Sequence, residues 1–366
     1  MKASHESSNL DVLRGTAVLL VLFAHLLVFW GVPLLGRLTV IYLGLLGVLL
    51  FFVHTSLVLM FSLERQTAKM GPRHAWLIFM IRRCFRVYPL SMLIVTVIFF
   101  AKIPAVSLGT HTLKVADLNW WGYIANLGLF QNLTNATSVV GPLWSLPYEM
   151  QMYVLLPALF WFALRLKSVW GLLVLWLCSV GLALVQMEFG RIPDFVKYVP
   201  CFLPGIIAFK LSKSAVPRIP FAVLPALLTV WSVVFAITPK SIQYPVAWLI
   251  CLLTGMMLPQ FIEVKSSSVK LVSHLLAKYS YGIYIAHYVC IWAAFLALKH
   301  LPLPVQWVVF WVLMVGLPAA LYHTVEGPMI KYGNALTKRM FGERQSSRQD
   351  AANLGEPELS GQEAGR

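Results

Sequence analysis

Charge is scarce in this chain: Asp, Glu, Lys and Arg make up only 12% of its 366 residues, against 59% apolar residues. An ordinary globular domain carries about 25% charged residues, so a soluble fold is excluded and lipid is the expected solvent. Cysteine is also thin. Cys84, Cys178, Cys201, Cys251 and Cys290 lie in or beside apolar stretches and none belongs to a CxxC pair, which indicates neither a disulfide framework nor a metal site. No Pro/Gly/Ser-rich linker divides the apolar part. A single membrane domain is therefore expected over residues 10–332, between a cytoplasmic segment 1–9 and a polar tail 333–366 expected to be disordered.

What the chain has in surplus is positive charge, a formal +15. Nucleic-acid binding would need a basic face with groove-reading or stacking elements; here the Lys and Arg residues sit between apolar spans, where positive charge orients a membrane protein. Windows of about 19 residues give ten spans: 11–30, 40–62, 87–101, 147–165, 169–187, 198–210, 219–238, 244–262, 280–298 and 305–324. The first is long enough to cross a bilayer and no small-residue cleavage site follows it, so it reads as a helix and not as a secretory signal. With the N-terminus inside, twenty-one Lys and Arg residues fall on the cytoplasmic side and seven on the other. The expected fold is an all-α integral membrane protein: one polytopic bundle of about ten transmembrane helices, both termini cytoplasmic. The long loop 102–142 then faces outward, with Trp120 and Trp121 as interfacial anchors.

Ionisable side chains inside spans are costly and mark function by default. In the first span Arg14 and His25 are eleven residues apart, which returns to within roughly 20° of the same face and climbs about 16 Å. A cation at the inner mouth with a base deeper in suits a reaction joining two compartments; the alternative is an arginine snorkelling to headgroups and a histidine bonding a neighbouring helix. Glu149 follows Gly141-Pro-Leu-Trp-Ser-Leu-Pro-Tyr, where the chain re-enters from outside. Placed near the outer third, it is expected to meet His25 and orient and polarise the imidazole, or else to cap or bridge helices. Arg82-Arg83-Cys84-Phe85-Arg86 reads as an orientation signal before the third span, or as guanidinium forks for phosphate. Tyr281, Tyr284 and His287 share a face of the ninth span and suggest a cavity lining. His54 and His323 read as helix-packing residues, and Glu326 as a partner for a cytoplasmic arginine.

Taken together, these residues resemble the membrane-embedded acyltransferase-3 family, which includes bacterial O-acetyltransferases of surface glycans. The likeness rests on Leu10-Asp-Val-Leu-Arg14-Gly15 with His25 in an Arg-x10-His spacing, Phe51-Phe52, Arg83-x-x-Arg86 ending in Pro89, and Trp144-Ser145-Leu146 with Glu149, Tyr153 and Pro157. It continues through Ser280-Tyr281 with Tyr284 and His287, and Val325-Glu326-Gly-Pro328. One departure is Phe51-Phe-Val-His54-Thr55-Ser56-Leu57, where families of this kind read Phe-Phe-x-Ile-Ser-Gly-Phe; losing the glycine removes a point of close helix approach. The chain also carries no fused SGNH-type hydrolase domain.

The resemblance implies a multi-pass protein of the inner (cytoplasmic) membrane that moves an acyl group, acetyl by default, from cytoplasmic acyl-CoA to a hydroxyl of an extracytoplasmic polysaccharide or glycolipid. His25 and Glu149 would be catalytic. Arg14, Arg83 and Arg86 would hold the acetyl-CoA or other acyl-CoA donor, and Trp144, Ser145, Tyr281, Tyr284 and His287 would line the substrate path. No metal is implied. The competing reading is a secondary transporter or flippase for a glycan-linked lipid or small anion, whose fold commonly shows an internal repeat.

Overall fold

Helix α1 (Ser8–Phe29) enters the bundle, and α2 (Val40–Met70) returns alongside it after a short hairpin of β1 (Leu34–Leu35) and β2 (Leu38–Thr39). The structure is a computed structural model that describes residues 7–32, 34–35, 38–109, 111–190 and 192–353. Residues 1–6, Arg37, Arg191 and the tail 354–366 lie outside the described residues.

Helix α3 (Pro72–Ala101) leads to the hairpin of β3 (Val106–Gly109) and β4 (Thr112–Lys114) and to the short α4 (Trp120–Leu127). A 3-10 turn, Gly141–Ser145, then opens α5 (Leu146–Arg165). Helices α6 (Trp170–Phe189), α7 (Val199–Ser212), α8 (Val223–Ile237), α9 (Gln243–Met257) and α10 (Ser267–Ile291) complete the middle of the chain. A π-helical stretch, Trp292–Ala297, extends α10, and another, Tyr322–Glu326, joins α11 (Leu303–Leu321) to α12 (Gly327–Asn353).

Eight helical segments among the described residues are long and apolar enough to cross a membrane. With α5 and the shorter α8 they occupy the ten expected places, so the fold is the all-α membrane bundle read from the sequence. Its spans are not all as expected, however. The third begins at Pro72 rather than 87, which puts the basic run 82–86 inside α3 and not ahead of it. The reason is a cover of protein: Arg82 Nε donates to Thr337 Oγ1 at 3.0 Å, and a Cβ on Gly333 would lie 2.7 Å from that of Phe85. The same packing involves the start of the segment expected to be a polar tail, and α12 runs through it to Asn353.

Between helices in lipid there is little hydrophobic driving force, so close backbone approach and hydrogen bonds hold the bundle. Gly47 lets α2 lie against α1, since a Cβ there would meet the Ala17 carbonyl at 2.5 Å. The glycine missing after Phe51-Phe52 is answered from the other side: Ser56 faces Gly205 of α7, whose Cβ would meet Ser56 Oγ at 2.0 Å and the Val53 carbonyl at 2.4 Å. Ser56 itself is satisfied within α2, donating to the Phe52 carbonyl at 2.8 Å.

Candidate active site

Helices α1 and α10 pack side by side and run in the same direction, as two polar contacts at different depths require. Near the Ser8 end, Arg14 Nε donates to Ser280 Oγ at 2.6 Å, and that hydroxyl donates to the Ala277 carbonyl at 2.8 Å. Toward the Phe29 end, His25 Nδ1 lies 3.1 Å from His287 Nε2. Arg14 and His25 thus share a face of α1, and Ser280 and His287, seven residues apart, share a face of α10.

The tautomers follow from the partners. His287 Nδ1 lies 3.2 Å from the Ile283 carbonyl, and a carbonyl only accepts, so that nitrogen carries the proton and Nε2 of the neutral ring is an acceptor. His25 Nδ1–H then donates to it, which leaves the His25 Nε2 lone pair without a partner among the described residues. The two rings stack with centroids 5.1 Å apart and an 18° interplanar angle, and Tyr288 packs on His25 from another side at 5.1 Å. His287 is fully buried and His25 is half-buried: one ring is held, the other is accessible.

Below the pair, toward the Ser8 end, a cavity opens between α1, α2, α3, α5 and α10. Arg14, Arg86, Ser145, Glu149, Tyr281 and Tyr284 are on its wall. Tyr153 donates to Glu149 across one helical turn, and the charges of Arg14, Arg83 and Arg86 all act on that carboxylate. Arg86 also faces Glu326, with Nη2 3.7 Å from Oε1 and the carboxylate fully buried. That separation is an ion pair and not a hydrogen bond, so both Glu326 oxygens, and Arg83 Nε as well, are buried without a hydrogen-bond partner. Three guanidinium groups against two carboxylates leave one positive charge in surplus.

Two hydroxyls lie between the cavity and the histidines. Tyr284 donates to the Pro142 carbonyl at 2.5 Å, so Ser145 Oγ, 2.7 Å away, donates to Tyr284. The Tyr284 ring is 6.5 Å from that of His287 one turn further along α10.

Most of the residues singled out in the sequence are therefore brought together, but not in the expected pairing. Glu149 does not orient His25; its partner is Tyr153, among the arginines, and His287 holds the imidazole instead. The difference is one of depth. The sequence places the start of α5 at the outer surface, whereas the chain folds inward through Gly141–Ser145 before α5 begins, carrying Glu149 down to the level of Arg14. Trp144 stands apart from the cavity, packed on Tyr148 and Tyr198 at 6.1 and 5.6 Å. Tyr281 serves mainly as a strut, donating to the Val87 carbonyl at 2.8 Å. His54 is buried in α2, and Tyr279 reaches His323 at 3.2 Å, both in helix-packing positions.

A family model described as an acyltransferase domain matches residues 7–323 of this chain. No curated protein and no solved structure matches it.

Proposed function

Because the chain belongs to the acyltransferase-3 family, with α1 carrying Arg14 to one end of a polar path and His25 to the other, we propose that this membrane acyltransferase joins two compartments. It takes an acyl group, acetyl by default, from acyl-CoA at the cytoplasmic face of the inner membrane and transfers it to a hydroxyl of an extracytoplasmic polysaccharide or glycolipid. The observation that carries this reading is the His25–His287 pair, whose hydrogen bonds leave His25 Nε2 free as a base.

The arginine cavity fits a phosphate-bearing donor. Its surplus positive charge favours an anion, and behind its wall the buried Arg83 Nε has no hydrogen-bond partner among the described residues. Glu149 and Glu326 are counter-ions that hold the guanidinium groups apart and aimed. In the transfer, His25 Nε2 takes the proton of the acceptor hydroxyl as its oxygen attacks the thioester carbonyl. His287 keeps Nδ1–H of His25 bonded, which orients the ring and spreads the charge that forms. The carbon–sulfur bond then breaks, and the imidazolium returns the proton to the departing thiolate. Ser145 and Tyr284 line the way between donor and histidine, and Trp144 lies beyond them on the acceptor side.

Reconstituted protein supplied with radiolabelled acetyl-CoA and extracted surface glycan as acceptor tests this. Wild type should consume the thioester, and His25→Ala should lose about 10²- to 10⁴-fold in rate. Full turnover by a folded His25→Ala protein, or glycolipid flux without thioester consumption, overturns the proposal.

A further inference from the structure

At the Phe29 end of the bundle a second pocket, of about 440 Å³, lies between the loop after α4, the first turn of α5, and the turn between α6 and α7. It lies on the same end as His25, because the β3–β4 hairpin links the loop to the end of α1: Gly141 N donates to the Ala105 carbonyl at 2.9 Å, just before β3, and His111 N, between β3 and β4, to the Phe29 carbonyl at 2.7 Å. Its volume falls within the roughly 300–1,000 Å³ of ligand sites. Nothing in the acyl-transfer scheme above uses it.

The pocket is built from amides. Gln131 is only 2% exposed; its Nε2 donates to the Leu143 carbonyl at 3.3 Å, and its Oε1 is buried without a partner. An unpartnered buried acceptor in a pocket wall is a place for a donor to arrive. Around it the polar groups are fixed in advance. Asn132 and Gln151 exchange two hydrogen bonds, at 3.3 and 3.1 Å. Gln186 accepts from Ile192 N at 2.8 Å and donates to Asp194 at 3.1 Å. The one acid, Asp194, is neutralised by Lys197 at 2.9 Å. Among the described residues the wall is therefore polar, preorganised and without net charge, which suits a neutral ring bearing hydroxyls more than an anionic group.

Its position matters as much as its chemistry. Leu143, held by Gln131, is two residues before Ser145, which bonds Tyr284. Two residues before Leu143, a Cβ on Gly141 would touch the Tyr288 ring at 3.2 Å, and Tyr288 packs on His25. On the far side, Tyr148 lines this pocket while its neighbour Glu149 lines the arginine cavity. One segment, Gly141–Glu149, thus lies between the two cavities and reaches the histidine pair through Tyr288.

The geometry points to this pocket as the acceptor subsite, binding a neutral, hydroxyl-bearing sugar ring of the acceptor glycan beside the His25 end of Gly141–Ser145. It rests on the acyl-transfer reading for the fate of that hydroxyl, but the binding stands by itself. Two variants of the full-length protein test it: Ala136→Trp, which fills the pocket from an irregular loop, and Gln131→Leu, which removes the unpartnered acceptor. The binding probe is saturation-transfer NMR in detergent with methyl α-glucopyranoside and with an anionic methyl glucuronide. The wild type should transfer saturation to the neutral glycoside more than to the anionic one, and both variants should lose at least fivefold of that signal. In cells that hold equal amounts of folded protein, alkali-releasable acetyl on the surface glycan should fall at least tenfold in both variants. Equal signal from wild type and variants, or preference for the glucuronide, overturns the subsite while leaving acyl transfer standing. A neutral-sugar signal that both variants abolish, in a wild type that never consumes acetyl-CoA, supports the subsite and sinks the acyl-transfer reading.

Discussion

Replacing His287 by leucine removes the acceptor for His25 Nδ1–H while leaving His25, the arginine cavity and the cavity wall untouched. Leucine is close to histidine in volume and the site is fully buried, so the fold should tolerate the exchange. Leaving one buried donor unpartnered costs roughly 1–3 kcal/mol. At 1.36 kcal/mol per factor of ten, that corresponds to a roughly 5- to 150-fold smaller share of the tautomer with Nε2 free. The Val21 carbonyl, four residues back on α1, is a second acceptor beside His25, which places the expected loss near the lower end, about tenfold. Because Arg14, Arg83 and Arg86 are unaffected, the loss should appear in kcat for acetyl-CoA turnover, with KM unchanged. His287→Gln, whose amide oxygen still accepts, should recover most of the rate. His25→Ala combined with His287→Leu should be no slower than His25→Ala alone, since the two rings act as one unit. A folded His287→Leu protein with kcat within about twofold of wild type refutes the role given to this histidine.

Two further perturbations probe the frame around the pair. Arg86→Gln leaves the buried Glu326 carboxylate without its cation and should cost about 3–5 kcal/mol in stability, seen as a lower unfolding midpoint in detergent; adding Glu326→Gln should restore the midpoint but not the donor KM. Gly205→Ala should destabilise by about 1–3 kcal/mol through overpacking. Adding Ser56→Gly should not rescue it, because the Val53 carbonyl at 2.4 Å and Leu57 N at 2.7 Å are backbone atoms that cannot move aside; thermal unfolding of both proteins checks this.

Periodicity carries the reading of α1 and α10. Eleven residues from Arg14 to His25 and the Tyr281, Tyr284, His287 spacing each fix a face, and the two faces meet. Glu326 as an arginine partner is legible for a similar reason, a lone acid at a helix junction, and it pairs with Arg86. Depth is not legible. A hydropathy window cannot show that Gly141–Ser145 folds inward before α5 starts, and so it places Glu149 at the level of the histidine rather than of the arginines. The i, i+4 spacing of Glu149 and Tyr153 is the available hint of their hydrogen bond. The basic run 82–86 reads as a loop because charge lowers hydropathy, though α12 covers that part of α3 with protein. Nor does any pattern in sequence announce that Gly205, on a different helix, replaces the glycine missing near Ser56.

The partition formed by Gly141–Glu149 has a physiological corollary. Its Leu143, Ser145, Leu146 and Tyr148 side chains are buried, so on the proposed acyl-transfer reading donor and acceptor would approach from opposite sides of a packed partition and only the acyl group would pass between them. A protein working this way needs no rocking of halves and no ion gradient. It leaves the insulation of the bilayer intact during turnover, and a protonophore that collapses the membrane potential should leave its rate as it was.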